Sequence, residues 1–252
     1  MPEPVFVVGD VHGHRDALVR LLRGEGLVDR RERWTGGDAR LWLLGDLADR
    51  GPDGIGAIEL VMALEERSRG RVACLLGNHD LLLVAVARVP DVPVWPGGTT
   101  FRRVWLSNGG LESDLAALRA HHVAWLTERP AVALEGDTLL LHADTDQYLR
   151  FGSSVGEVIR RMRAVLADGD AHALGGLMDV LSDRYGLADP NRVSTVLAVL
   201  GGTRIVHGHT PIAFVTAGDP GQVTEPLVSP DGRVVNADHC LFGGGPGFVV
   251  RL

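Results

Sequence analysis

The chain has 252 residues, of which 45% are hydrophobic and 23% charged, a composition typical of globular proteins. Its formal net charge of -7 argues against a protein that binds nucleic acid by electrostatic attraction. No apolar run is long enough to span a membrane, and two cysteines, Cys74 and Cys240, are too few for a disulfide framework. We therefore expect a cytoplasmic protein with neither a nucleic-acid nor a membrane partner.

The first part of the chain repeats one pattern three times: a short apolar strand, a polar turn and a helix. The strands are predicted at residues 5–8, 41–44 and 72–76, and apolar residues at helical spacing follow each of them. Such repetition is typical of an open α/β sheet, in which ligands bind at the carboxyl ends of the strands.

The remaining chain is less regular. Residues 90–130 are rich in proline, glycine and aromatic residues, and we expect them to form a cap-like insertion near the site, partly helical over residues 112–126. The later predictions, in order, are a hairpin at 131–142, helices over 154–200 with breaks at 175–176 and 186–190, a strand at 203–206 and short strands beyond 212. We expect residues 1–252 to form one domain.

Polar side chains stand where the predicted strands end, and six of them are of types that bind metal ions. They are Asp10, His12, Asp46, Asn78, His142 and His209. Three oxygen donors and three imidazoles suit Mn, Fe, Zn, Co or Ni better than calcium. Six donors exceed the needs of one catalytic ion, whereas two ions about 3.5–4 Å apart could share one carboxylate. Asp46, on a central strand, is the expected shared ligand.

Three of the turns resemble, in order and spacing, the signature motifs of the phosphoprotein phosphatase family of calcineurin-like metallophosphoesterases. Its bacterial branch includes symmetrical diadenosine tetraphosphatases. The motifs are Gly-Asp-Val-His-Gly at residues 9–13, Gly-Asp-Leu-Ala-Asp-Arg-Gly at 45–51 and Gly-Asn-His-Asp at 77–80, and residues 142–144 and 208–210 are similar to two later histidine motifs. The resemblance covers about residues 5–250 and is weakest between 90 and 200.

The resemblance implies a calcineurin-like α/β fold, with two mixed β-sheets packed as a sandwich and flanked by helices. It also implies two divalent metal ions, with manganese the expected metal and Fe, Zn, Ni, Co or Mg as alternatives. Asp10 and His12 would hold the first ion and Asp46 would bridge. The second ion would be held by Asn78, His142 and His209.

The same resemblance implies catalytic roles beside the metals. Arg50 would bind phosphate oxygens, His79 would protonate the leaving oxygen, and Asp49 would orient His79. Arg184 would be a second phosphate-binding arginine, although a surface ion pair is an alternative for it. One departure is Asp80, which stands where the family usually has glutamate.

The predicted function is therefore metal-dependent hydrolysis of phosphate monoesters by an enzyme similar to serine/threonine protein phosphatases. An alternative is the hydrolysis of dinucleoside polyphosphates such as diadenosine tetraphosphate. A third possibility, from another class, is a non-catalytic module that binds a phosphorylated ligand. The expected partner is a phosphorylated protein or a small phosphorylated substrate.

Overall fold

The computed structural model describes residues 3–252. All three predicted strand–turn–helix units are present at the start of the chain. Their elements are β1 (Val5–Val8), α1 (Arg15–Gly24), β2 (Arg40–Leu43), α2 (Gly54–Arg67), β3 (Val72–Cys74) and α3 (Asn78–Arg88). Local signals fix these helices: Leu18 and Leu22 bury one face of α1. Asp53 caps α2 by accepting a hydrogen bond from the Gly56 N–H.

Residues 90–130 contain three short helices. They are α4 (Phe101–Ser107), α5 (Glu112–Ala117) and α6 (Ala120–Thr127). The helical character predicted over residues 112–126 is confirmed, but α4 was not predicted. Its apolar residues Phe101, Val104 and Trp105 follow helical spacing and are buried, and both α4 and α6 pack against α3.

The second part of the chain adds the remaining strands and helices. They are β4 (Val132–Glu135), β5 (Thr138–Leu141), α7 (Val155–Asp168), α8 (Ala171–Leu181), α9 (Pro190–Leu200), β6 (Arg204–His207), α10 (Ile212–Thr216), β7 (Leu227–Val228), β8 (Val234–Asn236) and β9 (Val250–Arg251). The predicted hairpin is confirmed, since β4 and β5 are antiparallel. Its turn contains Gly136 at a φ of 59°.

One predicted helix break, at Gly175 and Gly176, is wrong. α7 ends instead at Gly169, which adopts the left-handed conformation at a φ of 68°, and α8 runs through both later glycines. Gly175 permits a close approach: a Cβ there would lie 2.3 Å from the carbonyl oxygen of Val94. The break expected near residues 186–190 is confirmed, since a 3-10 turn at Gly186–Ala188 precedes α9.

The strands form two mixed sheets, in the orders β3-β2-β1-β9 and β4-β5-β6-β8-β7. In the first sheet β1, β2 and β3 are parallel and β9 is antiparallel to β1. In the second, β5, β6 and β8 are parallel, with β4 and β7 as antiparallel edges. Two mixed sheets with flanking helices confirm the predicted fold class.

The alternation of side chains between the two faces of each strand explains how the sheets pack. Val7 and Trp42 of the first sheet share one apolar cluster with Leu140, Val206 and Val235 of the second. Their apolar neighbours along each strand belong instead to the larger cluster that contains the helices. Because side chains point alternately to the two faces of a strand, one face of each sheet meets the other sheet and the opposite face meets helices.

The carboxyl ends of the parallel strands of both sheets meet at one edge. A Cβ on Gly9, which follows β1, would lie 2.1 Å from the carbonyl oxygen of Ala237, which follows β8. A Cβ on Gly208, after β6, would lie 2.3 Å from Asp10 Oδ1. Glycine at these positions lets the turns of the two sheets touch.

None of the helices between residues 3 and 252 has the combination of length and apolarity needed to cross a bilayer.

Candidate metal centre and active site

The structure brings all six predicted metal ligands together at this edge. We call them the ligand cluster: Asp10, His12, Asp46, Asn78, His142 and His209. Each is at most 3% exposed. The backbone N–H of His209 donates to Asp10 Oδ1 at 3.0 Å, so residues 199 positions apart in the chain are in direct contact.

Asp46 lies at the middle of the ligand cluster. Its Oδ2 is 3.6 Å from His12 Nε2, and its Oδ1 is 3.5 Å from His142 Nε2. Two groups of potential ligand atoms contain Asp46, and within each group all the atoms lie within 4.8 Å of one another. One is Asp10, Asp46, His142 and His209, and the other is His12, Asp46 and His79. Asp46 is the residue common to both groups, as expected for a carboxylate shared by two ions.

Backbone carbonyl groups fix the orientation of two imidazoles. His12 Nδ1 donates to the carbonyl oxygen of Ala48 at 3.2 Å, and His142 Nδ1 donates to that of Leu44 at 2.8 Å. Since a carbonyl oxygen only accepts, the hydrogen of each neutral ring lies on Nδ1. The lone pair of each ring is therefore on Nε2, which lies within 3.6 Å of an Asp46 carboxylate oxygen and is available to a metal ion.

Several polar atoms of the ligand cluster have no suitable protein partner. Asp10 Oδ2 is buried without a hydrogen bond among the described residues. His142 Nε2 also lies 3.1 Å from Asn78 Oδ1, so two acceptor atoms face each other. Buried acceptors without donors are costly unless a cation binds them. The residues present therefore fit divalent metal ions.

Burial also favours charge states of these side chains that suit metal binding. The pKa values of His12, His142 and His209 are lowered chiefly because burial disfavours the imidazolium form. Burial also raises the pKa of Asp10, and the negative charges of Asp238 and Asp46 raise it further. Neutral imidazoles beside crowded carboxyl groups are ready to ligate a cation, which would relieve the repulsion between the carboxylates.

The predicted catalytic residues lie beside the ligand cluster. His79 Nδ1 donates to Asp49 Oδ2 at 2.8 Å, and both side chains are at most 1% exposed. The Arg50 guanidinium spans two rings, with Nη1 3.3 Å from His12 Nε2 and Nη2 3.0 Å from His79 Nε2. The ring of Phe242 packs against this guanidinium at 4.1 Å.

Asp80, the departure from the usual glutamate, binds the backbone of two turns. Its Oδ2 accepts from the N–H groups of Asp46 at 2.8 Å and Gly77 at 3.0 Å, and its Oδ1 accepts from Leu47 at 3.0 Å. Asp80 thus connects the turn after β2 with the start of α3. By accepting a hydrogen bond from the Asp46 N–H, the Asp80 side chain stabilises the position of Asp46.

Arg184 contacts the ligand cluster at His209. Its Nε donates to His209 Nε2 at 3.0 Å, so it contacts the cluster, not a surface carboxylate. Asp144 holds the surrounding loops together: Oδ1 accepts from the Thr210 hydroxyl at 2.5 Å and Oδ2 accepts from the Tyr185 N–H at 2.8 Å. The turns that carry His142, Arg184 and His209 are therefore joined through one carboxylate.

Sequence reasoning missed three residues of this neighbourhood. Trp105 Nε1 donates to Asp49 Oδ1 at 2.8 Å, Phe242 covers Arg50, and Asp238 is buried with an unpartnered Oδ2 near Asp10. The two residues that follow Asp238, His239 and Cys240, are at most 1% exposed. Only a polar residue after a strand signalled Asp238, and Trp105 is 56 residues from Asp49 in the chain.

Comparison with known proteins identifies a family and several relatives. Residues 3–213 match the sequence pattern of the calcineurin-like phosphoesterase family. The symmetrical bis(5'-nucleosyl)-tetraphosphatase of Dechloromonas aromatica (strain RCB) is 33% identical over 139 residues, which are 55% of this chain and 42% of that protein. Shewanella-like protein phosphatase 2 of Arabidopsis thaliana is 31% identical over 84 residues, 32% of this chain and 22% of that protein. The match thus spans less than half the length of either relative.

A solved structure has the same fold. The cold-active protein-tyrosine phosphatase of a psychrophilic Shewanella sp. superimposes with a TM-score of 0.71 at 19% identity, over 100% of this chain and 77% of that one. The family pattern over residues 3–213 includes every member of the ligand cluster. The chain therefore belongs to the calcineurin-like phosphoesterase family.

Proposed function

We propose that this protein is a dinuclear-metal-dependent phosphatase that hydrolyses phosphate monoesters, in the manner of serine/threonine protein phosphatases. The observation that carries the proposal is the position of Asp46, whose two carboxylate oxygens face imidazoles on opposite sides. Asp46 also belongs to both groups of potential ligand atoms around it, as a carboxylate shared by two adjacent ions requires.

The ligand cluster would hold the two ions, with Asp10 and His12 on one, Asn78, His142 and His209 on the other, and Asp46 on both. When bound, the ions would supply Lewis-acid chemistry, acidifying the attacking water and offsetting negative charge on the phosphoryl group. Mixed nitrogen and oxygen donors are compatible with manganese, which we propose as the metal.

Arg50 and Arg184 are proposed to bind the phosphoryl oxygens. Arg50 is well held for this task, because its Nε donates to the Asn108 carbonyl oxygen at 3.3 Å and its ring partner Phe242 supports one face. The two terminal nitrogens are then free to exchange imidazole for phosphate, which a planar guanidinium binds through paired hydrogen bonds. Arg184 approaches from the His209 side.

His79 is proposed to donate the proton that the leaving oxygen needs. Its Nδ1 hydrogen is committed to Asp49, which leaves Nε2 as the atom through which the ring holds and passes a proton. Arg50 Nη2 lies 3.0 Å from this Nε2, so the acid and the phosphate-binding group lie side by side. Asp49 orients the ring through this hydrogen bond.

A second candidate, hydrolysis of dinucleoside polyphosphates, is favoured by the identity to the Dechloromonas aromatica relative. The third, a non-catalytic module that binds a phosphorylated ligand, would not require His79, Asp49 and Arg50 to be kept together beside a full ligand cluster. The proposed partner is thus a phosphorylated protein or small phosphorylated substrate.

Cys74 and Cys240, both free thiols, agree with the predicted cytoplasmic setting.

The proposal is tested by removing metal from the full chain with a chelator and adding back Mn, Mg, Zn, Ni or Co separately. A phosphoserine peptide and diadenosine tetraphosphate are then compared by kcat/KM, with p-nitrophenyl phosphate as the general substrate. We expect manganese to restore hydrolysis and the peptide to be preferred. Preference for diadenosine tetraphosphate would select the second candidate, and no hydrolysis with any metal would contradict both enzyme proposals.

A further inference from the structure

Asp49 is held at both of its carboxylate oxygens. Oδ2 accepts from His79 Nδ1 at 2.8 Å, and Oδ1 accepts from the indole N–H of Trp105, also at 2.8 Å. All three side chains are at most 1% exposed, so no water competes for these bonds. The carboxylate therefore cannot rotate about its terminal bond without breaking a buried hydrogen bond.

The indole ring is itself held in place. Trp105 lies on α4 and is completely buried, and the N–H of Gly110 donates to its carbonyl oxygen at 2.9 Å. A Cβ on Gly110 would lie 2.2 Å from two ring atoms, so backbone packs directly against the ring. Close packing of this kind fixes the side-chain rotamer.

The turn after α4 also holds Arg50. The Gly109 carbonyl oxygen accepts from the Arg50 N–H at 2.8 Å, and the Asn108 carbonyl oxygen accepts from its Nε. Gly109 has a φ of 95°, and a Cβ there would lie 2.8 Å from Arg50 Cγ. α4 and its turn thus contact both neighbours in the chain, Asp49 and Arg50.

A tryptophan that donates to a carboxylate is not unusual in this protein. Trp95 Nε1 donates to Asp179 Oδ1 at 2.9 Å, at a site where the tryptophan is 42% exposed. Trp105 differs because the second oxygen of its carboxylate partner orients His79. The Nε2 atom of His79 in turn lies beside Arg50 at the ligand cluster.

We propose that Trp105 is a positioning residue for proton transfer to the leaving oxygen. By fixing Asp49, it fixes the ring plane of His79 and hence the direction in which Nε2 presents its proton. The inference rests on the proposed function, and it gives residues 101–110 a role in the reaction that is separate from covering the site.

A role in proton transfer has a kinetic signature. A leaving group that is stable as an anion, such as p-nitrophenolate, needs little protonation as the ester bond breaks. Phenolate is a poorer leaving group and depends more on the acid. Loss of positioning should therefore lower kcat more for phenyl phosphate than for p-nitrophenyl phosphate, with little change in KM.

The experiment compares Trp105→Phe with the matched control Trp95→Phe in the metal-loaded full chain. For Trp105→Phe we expect kcat to fall about tenfold or more with phenyl phosphate and about threefold or less with p-nitrophenyl phosphate. Trp95→Phe should match wild type with both esters. In a His79→Asn background, Trp105→Phe should cause no further loss, because the acid through which it acts is gone.

Equal losses with both esters, or further loss in the His79→Asn background, would overturn the inference while leaving the proposed function intact. Absence of metal-dependent hydrolysis in wild type would remove the proposed function and the inference with it. If Trp105→Phe does not fold, site-specific replacement by benzothienylalanine keeps the ring shape and removes only the N–H donor. The same dependence on the leaving group is expected for that variant.

Discussion

At the scale of single residues, several residues of the candidate site have backbone conformations that cost conformational free energy. His12, Asp46, Asp49, Arg50 and His209 all have φ between 45° and 67°, in the left-handed region that side chains disfavour. Each such residue costs on the order of 1–3 kcal/mol. Hydrogen bonds between turns offset part of this cost, since the N–H groups of Val11 and His12 both donate to the Asp46 carbonyl oxygen.

Replacement of His79 by asparagine tests the proposed acid. Asparagine cannot pass a proton at neutral pH, so kcat for phenyl phosphate should fall by about 10²- to 10⁴-fold. Metal content should stay at the wild-type level, because the ligand cluster is unchanged. Elemental analysis and steady-state kinetics on one preparation measure both quantities, and unchanged turnover would show that His79 is not the acid.

The ligand cluster was predictable because each member follows a strand within four residues. Asp10 and His12 stand in a Gly-rich turn after β1, and such turns at strand ends are read from local sequence. Trp105 was not predictable as a partner of Asp49, since their contact depends on how α4 packs in three dimensions. Phe242 was missed for the same reason: the turn that carries it comes near Arg50 only after the sheets assemble.

At the scale of elements, the apolar strands and their turns were recognised, whereas the meaning of some glycines was not. Gly169 ends α7 because it adopts a positive φ, which no spacing rule reveals. Gly175 and Gly176 look like a helix break but lie inside α8, where the first of them makes room for Val94. Tertiary contact here overrides local propensity.

These two glycines provide a matched pair of variants. Gly176→Ala should raise the free energy of unfolding by about 0.5–1 kcal/mol, because a Cβ there meets nothing within 4 Å and alanine favours the helix. Gly175→Ala should lower it by about 1–3 kcal/mol, because its Cβ would meet the Val94 carbonyl oxygen at 2.3 Å. Urea unfolding measures both. If both variants were stabilised, the contact between α8 and the segment before α4 would be wrong.

At the scale of the whole molecule, the site exists only because two sheets meet. His142 on the second sheet donates to the Leu44 carbonyl oxygen on the first, and the His209 N–H donates to Asp10. Neither sheet alone supplies a complete ligand cluster. We therefore propose that residues 3–252 act as one domain, as predicted from the sequence.

Burial of His239 links the stability of the whole fold to pH. The pKa of His239 is lowered from 6.5 to about 4 by burial, with a smaller contribution from His14. Between these values the unfolded chain binds a proton that the folded chain does not. This contribution to stability is therefore fully present above about pH 6.5 and is lost as the pH falls toward 4.

Replacement by phenylalanine should remove this contribution. For metal-free protein, the decrease in the free energy of unfolding between pH 7 and pH 4.5 should be about 2–3 kcal/mol smaller in His239→Phe than in wild type. The exposed His172 supplies the control variant His172→Gln, whose pH profile should follow that of wild type. An identical profile for His239→Phe would contradict the assignment.

The central claim is that the ligand cluster holds two catalytic ions that share Asp46. The most direct measurement counts manganese ions per chain by calorimetric titration of the chelator-treated protein, with hydrolysis of p-nitrophenyl phosphate followed on the same samples. We predict two ions and metal-restored hydrolysis for wild type and for the control Asp16→Asn, whose side chain is 99% exposed. Asp46→Asn should bind fewer ions and lose hydrolysis, whereas two ions and full hydrolysis in that variant would contradict the account.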